Sequence, residues 1–157
     1  MNAALASLRR RGLRHTIEPM LDRLFDVDSV QRVEIARLVA STLSDDAHVV
    51  FAYLHGSFVG DRPFHDIDVG VYLNTAPVEH TRRAVELADR LSRRVGYPVD
   101  VRVLNEAPVP FVFHALQGTL LISHDDACLA DVLERSGRRY LDLAPVLRRA
   151  TRDAFAP

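Results

Sequence analysis

The apolar positions of this chain change period several times, and each change marks an element. Between residues 17 and 43 they recur at three- and four-residue spacing: Ile17, Met20, Leu21 and Leu24, then Val30, Val33, Ala36, Val39 and Ala40. That spacing predicts helix, with Asp28 or Ser29 as an N-cap. Ile35 and Leu38 fall off the second stripe, so that helix is expected to bury more than one side. Ser44-Asp45-Asp46 ends the pattern. Residues 48–55 (HVVFAYLH) form a short run of β-formers and predict a buried strand closed by Gly56-Ser57.

Residues 66–73 (DIDVGVYL) predict a second strand. Alternation puts Asp66, Asp68 and Gly70 on one face and Ile67, Val69 and Val71 on the other. Asn74-Thr75 followed by Pro77 signals a helix start. Val78, Ala84, Val85, Ala88, Leu91 and Val95 then form a helical stripe that ends at Gly96, a C-terminal cap. Glu79 with Arg83 and Glu86 with Arg90 are spaced as i,i+4 pairs on the wet face. Residues 98–104 predict a third strand on which Asp100 and Arg102 share a face. A short helix from Phe111 to Leu116, a strand over 119–123 and a final helix from Asp125 or Asp126 complete the chain. The last helix is expected to break at Gly137 and resume from Tyr140 to Phe155, with Leu141, Leu143, Val146 and Leu147 pointing inward.

This pattern reads as one α/β (α+β) domain over residues 1–157, a small mixed β-sheet with flanking helices. Helices are expected over about 1–45 and 125–155, around a core over about 48–124. The 157 residues suit a single domain with one core. A lone cysteine, Cys128, excludes an intrachain disulfide. The net charge of -1 argues against a general polyanion binder, so direct nucleic-acid binding is not expected. All 20 basic residues are arginine, which excludes lysine chemistry such as a Schiff base or a P-loop lysine. No apolar run reaches the roughly 20 residues that span a bilayer, and the first residues lack the order of a secretory signal. A cytoplasmic location is expected.

The chemistry lies in the acids placed among apolar strands. An ionised carboxylate on a strand face is costly unless solvated, paired or bound to a cation. Asp66 and Asp68 stand two residues apart, about 6.7 Å along an extended chain, and project in parallel. With Asp100 from a following strand they form a set of oxygen donors suited to magnesium and to two-metal phosphoryl transfer. Gly56 lets a backbone approach a phosphate closely, and a turn into a helix N-terminus beside it would aim N–H groups and the Ser57 hydroxyl at an anion. A strand, a Gly-Ser turn and a strand opening with Asp-x-Asp together suit a nucleoside triphosphate with magnesium.

At this segment, residues 56–68 (GSFVGDRPFHDID), the chain resembles the polymerase-β-like nucleotidyltransferase superfamily with its GS…DxD signature. It is most similar to the minimal nucleotidyltransferase (MNT) branch, the antitoxins of HEPN/MNT toxin–antitoxin pairs. Asp100, the segment Leu104-Asn105-Glu106-Ala107-Pro108, Gly118-Thr119-Leu120-Leu121 and residues 140–147 extend the resemblance over about 48–150. Two departures stand out. Eight residues, Phe58 to His65, separate GS from DxD where the branch usually has ten, and His65 stands where serine is common.

The resemblance implies the polymerase-β nucleotidyltransferase fold and a definite site. Asp66, Asp68 and Asp100 would be catalytic and would hold magnesium, two ions in all. Gly56 and Ser57, with Arg62 as the basic residue of the loop, would bind the phosphates of ATP. Asp100 would be the general base, and the acceptor a tyrosine of a partner HEPN ribonuclease toxin, silenced by AMP. Two alternatives remain: an antitoxin that neutralises its toxin by stoichiometric binding, and a nucleotidyltransferase for a small molecule of the aminoglycoside type. Blander readings also stand beside these residues. Arg102 can neutralise Asp100 in a plain ion pair, His55 and His65 can be packing or surface histidines, and Cys128 can be inert core.

Overall fold

The computed structural model describes residues 23–60 and 62–154. The helical stripe at Ile17, Met20 and Leu21 lies outside them. In chain order the elements are α1 (Ser29–Ser44), β1 (Val49–His55), β2 (Ile67–Leu73), α2 (His80–Val95), β3 (Val99–Val103), α3 (Val109–Ala115), β4 (Thr119–Ser123) and α4 (Asp126–Ala154). Short 3-10 turns at Ser57–Val59 and Pro77–Glu79 follow β1 and β2. The strands form one sheet in the order β3-β2-β1-β4. β1 pairs antiparallel with both β2 and β4, while β2 and β3 are parallel, joined through α2. A parallel neighbour needs such a crossover, and the long apolar stripe of α2 supplies it.

The sheet separates two apolar clusters. On one face Ile67, Val69 and Val71 of β2 and Val99 and Val101 of β3 pack with Ile35, Val39 and Leu43 of α1 and Leu87, Leu91 and Val95 of α2. On the other, Phe51 and Tyr53 of β1 meet Val112 and Ala115 of α3 and Leu129 and Val132 of α4. The period-2 reading of β2 and β3 therefore holds, and it sends Asp68, Asp100 and Arg102 to the second face, near its open end. Asp28 caps α1 through a capping box with Gln31, each side chain bonded to the other's backbone N–H. Gly96 ends α2 at φ +80°, the left-handed value that favours glycine.

The helix phases differ from the expectation in three places. α1 does not extend back to Leu24: the cap at Asp28 stops it, and Phe25 instead makes a two-bond bridge to Phe64. Its buried stripe is Arg32, Ile35, Val39 and Leu43, leaving Val30 76% and Val33 60% exposed. An arginine occupies a core position, so counting apolar residues alone gives the wrong phase. In α2, His80, Leu87, Leu91 and Val95 are buried, while Val85, and Val78 in the 3-10 turn before the helix, face solvent. Arg83 does not pair with Glu79, nor Arg90 with Glu86; Arg83 instead touches Glu86 at 3.4 Å. Arg83 and Arg90 both reach the buried Asp46, at 2.7 and 2.9 Å, and Arg82 takes Glu79 and Glu86.

The third difference is α4, which runs unbroken through Gly137 and carries Pro145 inside it. One glycine costs a helix about 1 kcal/mol relative to alanine, too little to break one packed on both sides of the position. Leu129, Val132, Ser136 and Ala144 stay buried on one phase, and Tyr140 stacks on Phe113 of α3 at 3.8 Å. Without a break the phase is never reset. Leu141, Leu143, Val146 and Leu147 therefore fall outside the buried stripe and are exposed. Among the described residues no helix is long and apolar enough to cross a membrane.

Candidate active site

β2 and β3 run parallel in a register that sets Asp68 directly beside Asp100. Across the other edge of β2, Asp68 stands opposite His55, the last residue of β1. Gly56 follows at φ +73° and lies so close to Asp68 that a Cβ there would sit 1.9 Å from Asp68 Oδ2. Glycine is thus required twice, for the backbone conformation and for the space. The chain then makes the Ser57–Val59 turn, a single short 3-10 turn and not a longer helix. Asp66 precedes β2 by one residue, at a bend, and is half-buried like Asp68 and Asp100. Ser57, Arg62 and His65 are exposed.

The carboxylates feel one another. Burial pushes the Asp68 carboxyl up to about 6, the charges of Asp66 and Asp100 add to the rise, and Arg102 opposes it. Burial holds the His55 imidazole below its ordinary value; Asp100 works against that and Arg102 with it. The Nε2 atom of His55 is buried without a partner, and its ring meets Phe111 edge-on at 5.5 Å. Arg102 donates from Nε to Asp100 Oδ2 at 3.0 Å and lies over the Phe111 ring at 5.6 Å. The ion-pair reading of Asp100 and Arg102 is therefore realised.

Hard carboxylate oxygens under mutual repulsion suit a divalent cation such as magnesium. They do not form a closed cage: among the described residues no three acidic, histidine or cysteine side chains are gathered closely enough to hold a metal. Asp100 turned toward Arg102 is consistent with that. A cavity of about 460 Å³ opens beside Asp100 and Arg102 and reaches Phe111. Another hollow, about 410 Å³ between Thr42 and the Asp89–Arg94 stretch of α2, lies apart from the carboxylates.

One residue that holds the site together escaped the sequence reading. Arg32 of α1 is 9% exposed and donates to the carbonyl oxygens of Phe58 at 2.8 Å and Arg62 at 2.6 Å. Its guanidinium lies over the Phe58 and Phe64 rings at 5.2 and 5.5 Å. Phe64 is fully buried and also packs on Phe25 and Tyr97. This cluster pins both ends of the loop between Gly56-Ser57 and Asp66. The available signal was position: Arg32 falls three, seven and eleven residues before Ile35, Val39 and Leu43, on their stripe. Asn105, from the segment that carries the resemblance, accepts from Leu73 N–H at 2.9 Å and donates to Leu73 O at 2.8 Å, extending the β2–β3 pairing past the end of β3.

With this geometry in view, comparison with known proteins places the chain. The family described as polymerase beta, nucleotidyltransferase matches residues 38–127, more than half of the chain, and the protein belongs to it. No curated protein matches the chain in sequence. Solved structures share its fold. A chain of the complex of tri-AMPylated Shewanella oneidensis HEPN toxin with MNT antitoxin is 18% identical, with a TM-score of 0.57 over 81% of this chain and 98% of that one. A chain of the MntA–HepT toxin–antitoxin is 17% identical, with a TM-score of 0.56 over 82% and 100%. A toxin–antitoxin structure with AMP-PNP gives 17%, 0.58, 83% and 100% in the same terms. The expected fold, a mixed sheet with flanking helices in the nucleotidyltransferase family, is thus the observed one.

Proposed function

We propose that this protein is the antitoxin of a HEPN/MNT pair and a nucleotidyltransferase that moves AMP from ATP to a tyrosine of its HEPN ribonuclease partner. Family membership supports nucleotidyl transfer, and the fold is shared with chains of toxin–antitoxin complexes. One of those complexes holds a tri-AMPylated toxin and another AMP-PNP. The observation that carries the reading is the register: Asp68 beside Asp100, Asp66 adjacent, and the Gly56 backbone against the Asp68 carboxylate.

In this reading Gly56 and Ser57 receive the phosphates, and the loop pinned by Arg32 keeps its shape around them. Arg62 sits on that loop with its side chain exposed, available to a phosphate oxygen. Asp66, Asp68 and Asp100 would hold magnesium, two ions in all, which supplies charge neutralisation on the phosphates and a more acidic acceptor hydroxyl. Asp100 takes the acceptor proton. The acceptor oxygen bonds to the α-phosphorus, the bond from that phosphorus to the bridging oxygen breaks, and pyrophosphate leaves.

The test is to incubate the protein with ATP, magnesium and the product of the neighbouring reading frame, then weigh that product. A gain of one or more AMP masses is expected, lost in the Asp66→Asn plus Asp68→Asn double variant. No gain, or a gain that survives the double variant, refutes the reading. The Asp100–Arg102 ion pair and the open carboxylate set favour one rival, neutralisation by stoichiometric binding. Protection of cells by the double variant would establish that rival.

A further inference from the structure

α4 carries a second stripe beside the one it buries. Ala130, Leu133, Gly137 and Leu141 follow one another at three- and four-residue spacing, offset from the buried Leu129, Val132 and Ser136. Leu133 is 41% and Leu141 70% exposed, and Ala130 is exposed with them. Gly137 lies in the middle. Its φ is not positive, so the backbone there does not call for glycine. A Cβ on it would meet nothing within 4 Å, so the fold does not call for glycine either. A residue that helices disfavour thus sits in mid-helix with no reason inside the protomer, and close approach from outside supplies one.

Single exposed leucines need no partner. This stripe differs in matching itself about its middle. Leu133 and Leu141 lie four residues to either side of Gly137, Ala130 and Ala144 seven, and Asp126 and Arg148 eleven. The outermost pair has opposite charge, and Arg148 is exposed with no partner among the described residues. In a two-fold contact residue i meets j while j meets i. Two antiparallel copies of α4 that cross at Gly137 therefore set Leu133 against Leu141, Ala130 against Ala144 and Asp126 against Arg148, each twice. Ala144 is buried at the border of the stripe and is too small to obstruct it. Glycine at the crossing lets the axes reach the short end of the usual separation, about 8–10 Å. Neighbouring charges are already matched within the helix, Arg135 to Asp131 and Arg138 to Glu134, and do not oppose the approach.

We propose that this face of α4 binds a second copy of the chain, as an antiparallel two-helix contact centred on Gly137. The occupant is a second copy because the stripe complements itself: its two ends carry opposite charges, which the two-fold brings together. From Asp126 to Arg148 the contact runs about 33 Å at the helical rise. It uses no residue of the candidate active site and stands whether or not the protein transfers AMP.

Sedimentation of the full chain on its own tests this. A reversible monomer–dimer equilibrium is expected, with dimer the main species at about 0.2 mM, as suits a contact at the small end of specific interfaces. Gly137→Leu is decisive by its sign. It adds apolar surface to an exposed helical position, so non-specific association would grow. A crossing at that residue instead predicts a dissociation constant at least about tenfold higher. Arg148→Asp and Asp126→Arg each set like charges together twice and should weaken the dimer at least about fivefold, while the double variant restores it. Circular dichroism checks that each variant keeps its helices. A chain that stays monomeric up to that concentration overturns the proposal. So does a dimer strengthened by Gly137→Leu, and so do charge variants that fail to rescue each other. If the wild type is monomeric and Gly137→Leu weakens its complex with the product of the neighbouring reading frame, the face belongs to that partner and the proposal is wrong.

Discussion

Arg32 is a buried cation whose partners among the described residues are two carbonyl oxygens and two aromatic faces, with no carboxylate among them. Such a residue is retained for what it holds in place. Hydrogen bonds from a charged donor contribute about 1.5–3 kcal/mol, and losing the donor leaves the buried Phe58 carbonyl unpaired. Arg32→Met is expected to destabilise the fold by about 2–4 kcal/mol and to weaken ATP binding more than it slows transfer from saturating ATP. Arg32→Lys keeps the charge but loses the fork, and should restore part of the stability with less of the nucleotide affinity. Urea unfolding and a KM-against-kcat comparison check both statements. A loss of stability with KM unchanged would show that Arg32 supports the core and not the loop. Ser57 and Arg62, both exposed, could be singled out as candidates, because their residue types and their place after β1 carry the signal. Arg32 was not, because an arginine in a helix reads as solvated until its partners, 26 and 30 residues away, are seen.

At the scale of elements, the strands were more legible than the helices. A strand alternates strictly, so Asp68 and Gly70 had to oppose Val69 and Val71, and the register delivered Asp100 to Asp68. Helix phase is set by several residues at once and can be carried by polar ones; Arg32, His80 and Ser136 hold buried positions in α1, α2 and α4. Asp46 shows the same effect between elements. It links the α1–β1 connection to α2 through Arg83 and Arg90 and accepts from His48 N–H. Burial works against its charge, but the His48 hydrogen bond and the two arginines outweigh that and hold its pKa below the ordinary value. Its contribution is therefore present at neutral pH and is lost as pH falls through that lowered value, below about 4. Asp46→Asn should cost about 2–3 kcal/mol at pH 7, the lower end for a broken buried pair because Arg90 is 46% exposed. The cost should fade in acid, which denaturant midpoints at pH 7 and pH 3.5 would show. Gly137 offers the converse test. A Cβ there meets nothing within 4 Å, so Gly137→Ala should stabilise the continuous α4 by up to about 1 kcal/mol, read as a rise in melting temperature. Destabilisation would mean that the helix is interrupted there.

For the whole molecule, the carboxylates set stability against function. Asp68 is ionised in the unfolded chain above about pH 4, but in the fold burial and its acidic neighbours raise its pKa to about 6. The folded state thus binds more protons than the unfolded state between about pH 4 and 6, and stability falls as pH rises through that window. Asp46 has the opposite sign and acts at lower pH, so the two are separable. The shift at Asp68 corresponds to about 1–3 kcal/mol once partial solvation is allowed for. Asp68→Asn removes the charge with little change of shape and should stabilise the metal-free protein by that amount at pH 8, with the gain fading below pH 5. A ligand that binds only the folded state raises stability by mass action, about 2.7 kcal/mol at a hundredfold excess over its dissociation constant. Magnesium should therefore raise the melting temperature of the wild-type protein at pH 8 and leave the Asp66→Asn plus Asp68→Asn variant unmoved. Melting curves of both proteins in EDTA and in magnesium, at pH 5 and pH 8, contain the whole comparison. If Asp68→Asn were no more stable than wild type in EDTA at pH 8, the repulsion among Asp66, Asp68 and Asp100 would be too weak to select a divalent cation, and the case for their joint role in catalysis would fall with it.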